Sequence, residues 1–152
     1  MIRHLCAAVV MVAFGTQTGV ATAAGAHFVG TPSGDHFSGT SGNDRVQLWG
    51  GDDVASGADG QDNLDGSGGD DRLYGGTGTD RLVGGGGGDR LIPGWGADQV
   101  WGGAGDDTIE LTLDGRPDLV DCGAGHDVLV LMGGRDTKDR YRDCEGLIIV
   151  VS

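Results

Sequence analysis

Gly75-Gly76-Thr77-Gly78-Thr79-Asp80-Arg81-Leu82-Val83 is one nine-residue phrase of a pattern that runs without insertion from Gly30 to Glu110. Aspartate holds the sixth position of every unit: Asp35, Asp44, Asp53, Asp62, Asp71, Asp80, Asp89, Asp98 and Asp107. An apolar residue always follows two places later, from Phe37 through Ala55 and Leu73 to Ile109. Two places before each aspartate stands glycine, except in the first unit, which has Ser33. A short fixed period means stacked, near-identical coils rather than one irregular core. Glycine permits a sharp turn, aspartate offers a hard oxygen ligand, and the lone apolar side chain fills a narrow interior. Strand alternation then points the eighth position inward and its neighbours, among them Arg45, Arg72, Arg81 and Arg90, outward.

Composition narrows the function. The 152-residue chain carries a formal charge of −13, which repels nucleic acid and anionic lipid surfaces. Only Glu110 and Glu145 are glutamates, so nearly all the acid is the short carboxylate that a cage built in tight turns requires. Arg3 and His4, the apolar run Leu5 to Phe14, and the Ala21-Thr22-Ala23 site have the order of a cleaved secretory signal peptide over residues 1–23. No other segment is apolar enough to span a bilayer. Secretion places Cys122 and Cys144 in an oxidising compartment, where a disulfide is expected.

The unit resembles the G-G-x-G-x-D-x-U-x nonapeptide of the repeats-in-toxin (RTX) calcium-binding proteins, in nine registers over residues 30–110. That resemblance implies an all-β, right-handed parallel β-roll. Two units make a coil, six residues of each unit turn and hold calcium, and the last three form a strand of one of two facing sheets. Asp35, Asp53, Asp71, Asp89 and Asp107 then stack on one edge, and Asp44, Asp62, Asp80 and Asp98 on the other. Turn carbonyls would complete each cage, among them those of Gly69, Gly76, Gly78, Gly85, Gly87, Gly103 and Gly105, for about seven ions in all.

Departures from the pattern predict weaker turns. Gly30-Thr31-Pro32-Ser33 lacks the fourth-position glycine, and Leu48-Trp49 and Pro93 replace glycine at the first two positions, which puts the turns of Asp35, Asp53 and Asp98 in doubt. Residues 24–29 read as a linker. After Glu110 the period breaks into a spacer, Leu111 to Asp121, and one degenerate unit in which Asp127 keeps the ligand position. Strands around Val128–Met132 and Leu147–Val151, tied by Cys122 and Cys144, are expected to cap the roll.

Catalysis finds no support. His27, His36 and His126 accompany no recognisable nucleophile, and neither an H-E-x-x-H helix nor a G-x-S-x-G elbow is present. The reading is a secreted calcium-binding repeat protein that folds on calcium or is stabilised by it, with no chemistry of its own. The alternative is a calcium-dependent extracellular adhesion or carbohydrate-binding module, in which Trp49, Trp95 and Trp101 would stack on a ligand.

Overall fold

The structure, a computed structural model, describes residues 25–151 and, as backbone, two short strands before them. Most of the expected signal peptide, including its Ala21-Thr22-Ala23 site, lies outside the described residues. The strands are β1 Val10–Val12, β2 Thr18–Val20, β3 His27–Val29, β4 His36–Ser38, β5 Arg45–Gln47, β6 Val54–Gly60, β7 Asn63–Gly68 and β8 Arg72–Gly78. They continue with β9 Arg81–Gly86, β10 Arg90–Gly96, β11 Gln99–Ala104, β12 Thr108–Thr112, β13 Leu119–Ala124, β14 Val128–Met132, β15 Arg140–Arg142 and β16 Gly146–Val150. Odd strands form one eight-stranded sheet and even strands the other, each pairing in parallel with the strand two places along. No helix occurs among the described residues, and none is long and apolar enough to cross a membrane.

Register follows the repeat. Leu73 pairs with Leu91 and Leu64 with Leu82, so equivalent residues of successive coils lie side by side. β3, β4 and β5 have the three residues expected, but from β6 to β14 the strands are longer: β8 and β10 run on into the glycine turn, with Gly76 beside Gly94 and Gly78 beside Gly96. Eighth-position side chains form two inner columns, Val46, Leu64, Leu82 and Val100 in one sheet and Phe37, Ala55, Leu73, Leu91 and Ile109 in the other, all buried. The pleat also turns the first position of a unit inward, two residues beyond the eighth. Where glycine is replaced there, a second core side chain results: Leu48, Leu111, Cys122 and Leu131 are all buried.

Three boundaries differ from the sequence reading. The expected linker contains β3, whose Phe28 is buried against Phe37 with ring centroids 5.1 Å apart. The spacer after Glu110 does not interrupt the ladder: β11 pairs with β13 and β12 with β14, and the coil absorbs two extra residues as an exposed bulge at Gly115–Pro117. The residues expected as a cap are further coils of the same ladder. β14 continues its sheet and β16 follows it, with Leu147 and Ile149 in register with Leu129 and Leu131. Those two residues are 44% and 46% exposed, so among the described residues nothing covers the final coil. The disulfide forms as expected, linking Cys122 in β13 to Cys144 across 22 residues.

Truncating the column at Leu82→Ala is expected to cost about 2–5 kcal/mol, because neighbouring coils are locked in register and close poorly on the cavity. The paired change Cys122→Ala, Cys144→Ser is expected to cost about 3 kcal/mol by releasing the closed loop in the unfolded chain. Urea denaturation in saturating calcium measures both.

Candidate metal centre

Each aspartate of the repeat lies at the junction of turn and strand, and stacking in register places it beneath its counterpart in the next coil. One column comprises Asp35, Asp53, Asp71, Asp89, Asp107 and Asp127, and the other Asp44, Asp62, Asp80 and Asp98. All ten are buried. Within a column a single bond repeats. The backbone N–H of each aspartate donates to the Oδ1 of the aspartate one coil on, at 2.8 Å from Asp71 to Asp89 and from Asp80 to Asp98.

The columns extend further than the regular period. Asp98 N–H donates to Asp118 at 2.9 Å and Asp118 N–H to Asp139 at 3.0 Å, while Asp127 N–H donates to the Glu145 carboxylate at 2.9 Å. Asp118, Asp139 and Glu145 were not among the sequence candidates. Their signal was an apolar residue two places on (Val120, Tyr141 and Leu147), hidden by the loss of the nine-residue spacing.

The second carboxylate oxygen carries the functional information. Oδ2 of Asp53, Asp62, Asp71, Asp80, Asp89, Asp98, Asp107 and Asp127 is buried with no hydrogen-bond partner among the described residues. A buried, unpartnered carboxylate oxygen is costly unless a cation meets it. At Asp35 and Asp44 the position is filled from within: Thr31 N–H donates to Asp35 Oδ2 at 2.5 Å and Thr40 N–H to Asp44 Oδ2 at 2.7 Å. The cause lies at the second position of the turn. Trp49, Ala58, Ser67, Gly76, Gly85, Gly94 and Gly103 adopt positive φ there, whereas Thr31 and Thr40 do not. A β-branched side chain disfavours the left-handed region, so these two turns take another path that brings the threonine N–H onto the carboxylate.

Trp49 does adopt φ 75°, so the turn before Asp53 keeps its shape despite the lost glycine. Pro93 fits too, because first positions do not require positive φ, and β10 passes through it. The seven candidate glycines, Gly69, Gly76, Gly78, Gly85, Gly87, Gly103 and Gly105, all have positive φ. A Cβ on any of them would strike the carbonyl oxygen of the equivalent residue one coil earlier. Backbone oxygens thus line both edges in close-packed columns.

These donors suit a hard cation such as calcium, which takes six to eight oxygens in flexible geometry. Among the described residues no three His, Cys, Asp or Glu side chains converge on one point, so backbone carbonyls must complete any cage. A bound ion would supply the positive charge that lets neighbouring carboxylates share a column. Burial pushes the carboxyls of Asp53 and Asp62 up to about 6, and those of Asp71, Asp80, Asp107 and Asp118 to about 7, from an ordinary 3.8. Column neighbours add to the rise, and the N–H bond to Oδ1 opposes it. Exposed Glu145 shifts the other way, lowered first by the Asp127 N–H.

The tryptophans do not form one site. Trp49 is an exposed residue of a turn on the Asp53 edge, and Trp95 is exposed on the Asp98 edge. Trp101 lies on an outer sheet face beneath the Arg81 guanidinium, 4.5 Å from the ring centroid.

Two outcomes are expected. Asp71→Asn should lower the calcium stoichiometry by at least one ion, whereas Thr40→Gly should raise it by freeing Asp44 Oδ2; calorimetric titration measures both. For pH, a carboxyl raised in the fold holds its proton longer there than in the unfolded chain. The metal-free fold therefore binds more protons between about pH 4 and 7, and its stability falls as pH rises through that window. Metal-stripped protein should accordingly gain β-sheet circular dichroism on acidification from pH 7.5 to 5, while calcium affinity weakens over the same range.

The description "RTX calcium-binding nonapeptide repeat (4 copies)" matches residues 29–64, 56–91 and 74–109, together more than half of the chain. No curated protein and no solved structure matches significantly. With the parallel roll and its paired aspartate columns, that match places the chain in the RTX calcium-binding repeat family.

Proposed function

We propose that this calcium-binding repeat protein acts outside the cell, that calcium drives or stabilises its folding, and that it performs no catalysis. One observation carries the reading: eight buried carboxylate oxygens have no partner among the described residues. A chain with 33 glycines loses much conformational entropy on ordering, and its core offers little more than one apolar side chain per nine residues in return. Ions that bind the folded columns and not the unfolded chain shift that balance by mass action, about 2.7 kcal/mol per site at 100-fold excess over the dissociation constant. The millimolar calcium of extracellular fluids suits such loading, in keeping with the signal-like N-terminus and the Cys122–Cys144 disulfide.

The residues proposed to hold calcium are the aspartates from Asp53 to Asp127 with free Oδ2, together with the turn carbonyls beside them. Their work is to bind and orient ions, and the outward arginines lower the repulsion between coils. Arg90 pairs with Glu110 across strands at 2.6 Å.

Calcium titration of the metal-stripped chain, followed by calorimetry and circular dichroism together, tests the reading. Uptake of several ions with concurrent growth of β signal is expected. An equal β signal in chelator and in calcium would refute coupled folding, and no heat at millimolar calcium would refute the binding itself.

A further inference from the structure

The repeat constrains the first, second, fourth, sixth and eighth positions of each unit and leaves the third and fifth open. On the edge carrying Asp53, Asp71, Asp89 and Asp107, the open positions hold small residues or further acids, such as Gly68, Gly86, Asp70 and Asp106. The opposite edge is furnished differently. Its third positions hold Ser41, Asp59, Thr77 and Trp95, and its fifth positions Asn43, Gln61, Thr79 and Ala97, so it has one acid and a row of polar side chains. Calcium asks the same turn of both edges, so it does not account for the difference.

These two rows form the walls of a groove of about 740 Å³ that runs along the roll axis. Its floor is the fourth-position column Gly60, Gly78 and Gly96, at φ 134°, 141° and 147°, where no side chain rises between the walls. Trp95 stands on one wall, 60% exposed. Asp114 and Arg116 enter the lining from a coil two residues longer than the regular 18. That bulge is pinned: Gly96 N–H donates to Asp114 Oδ2 and Arg116 N–H to Asp114 Oδ1, both at 2.7 Å, and Lys138 Nζ donates to the Gly115 carbonyl at 2.5 Å. Asp114 is thereby spent on the backbone, and the Arg116 side chain remains exposed at the groove. The ladder needs no insertion here, yet the insertion is held in place and furnishes this end.

We propose that this groove binds a neutral oligosaccharide chain, with one sugar face stacked on Trp95. The indole offers an apolar face; Thr77 Oγ1 donates to Asp59 Oδ1 at 2.8 Å and Asn43 Oδ1 accepts the Gln61 N–H at 2.9 Å, while the side-chain amides of Asn43 and Gln61 and the Thr79 hydroxyl offer donors and acceptors of the kind that sugar hydroxyls pair with. Coils repeat about every 4.8 Å, so the groove spans on the order of 20 Å from Asn43 to Arg116 and meets a regular chain with a regular row. The chain's charge of −13 disfavours anionic polysaccharides. An extended peptide would seek a free strand edge, and this groove has none, its floor and walls being successive coils of a paired ladder. The proposal rests on the calcium-bearing roll as the folded form.

The test uses the full chain in saturating calcium, its fold checked by circular dichroism, with maltohexaose, cellohexaose and mannohexaose as neutral probes and an alginate oligomer as the anionic one. Tryptophan fluorescence and calorimetry read the binding. At least one neutral hexasaccharide is expected to bind, with affinity reduced about tenfold or more in Trp95→Ala, largely kept in Trp95→Phe, and unchanged in Trp101→Ala. The proposal is overturned if the folded, calcium-loaded chain binds none of the neutral probes, if Trp95→Ala binds as well as the parent, or if alginate is preferred. A chain already folded in chelator that still takes a neutral hexasaccharide through Trp95 would sink coupled folding alone and support the groove.

Discussion

Ten aspartates of the repeat are buried in two columns, and eight of them satisfy only part of their carboxylate from among the described residues. Oδ1 accepts the N–H of the column-mate one coil earlier and so stitches coil to coil. From Asp53 to Asp127, Oδ2 is left facing the turn. Most other features follow from keeping that arrangement compact. Glycine at the first position leaves room for the carboxylate, since a Cβ at Gly57, Gly66 or Gly84 would strike the Oδ2 of its own turn. Glycine at the second and fourth positions lets carbonyl oxygens stack coil upon coil. A buried ionised carboxylate is tolerable only with compensation, and the alternatives are a proton or a cation. The same columns therefore favour protonation without metal and ionisation with it.

The thin interior is the counterpart of this design. A single column of side chains per sheet keeps the two edges close and their turns alike. Where a coil departs from glycine at the first position, as at Leu48, Leu111 and Leu131, the interior gains a second apolar residue. Such substitutions concentrate toward the C-terminal coils, where the period loosens and the disulfide joins the ladder. Order there derives more from packing and a covalent tie than from the turn motif. Arg142 pairs with Asp121 in the same region, joining β15 to β13 on the outer face.

The edges are equivalent in backbone and unlike in side chains. At the third and fifth positions one presents acids and small residues, apart from its second-position Trp49, and the other presents Trp95, amides, hydroxyls and a pinned insertion around a glycine floor. A fold that dictates five positions in nine leaves the remainder available for recognition without disturbing the stack.

Much of this was legible in the chain itself. The nine-residue spacing of aspartate, glycine and an apolar residue indicates stacked coils with every eighth position inside, and the resemblance to the RTX nonapeptide implied the two-unit coil, hence the register and the column residues. Asp118, Asp139 and Glu145 escaped that reading because Arg116, Thr137 and Asp143 stand where glycine would mark the turn, although Asp143 still adopts φ 54°. Only the tertiary structure decided which carboxylates are left wanting. Thr31 and Thr40 look like minor departures in the sequence, yet refusing positive φ turns their N–H groups onto Asp35 and Asp44 and closes those sites from within. Whether a buried oxygen has a partner depends on the path of a neighbouring turn through space, and no spacing of residue types along the chain records it.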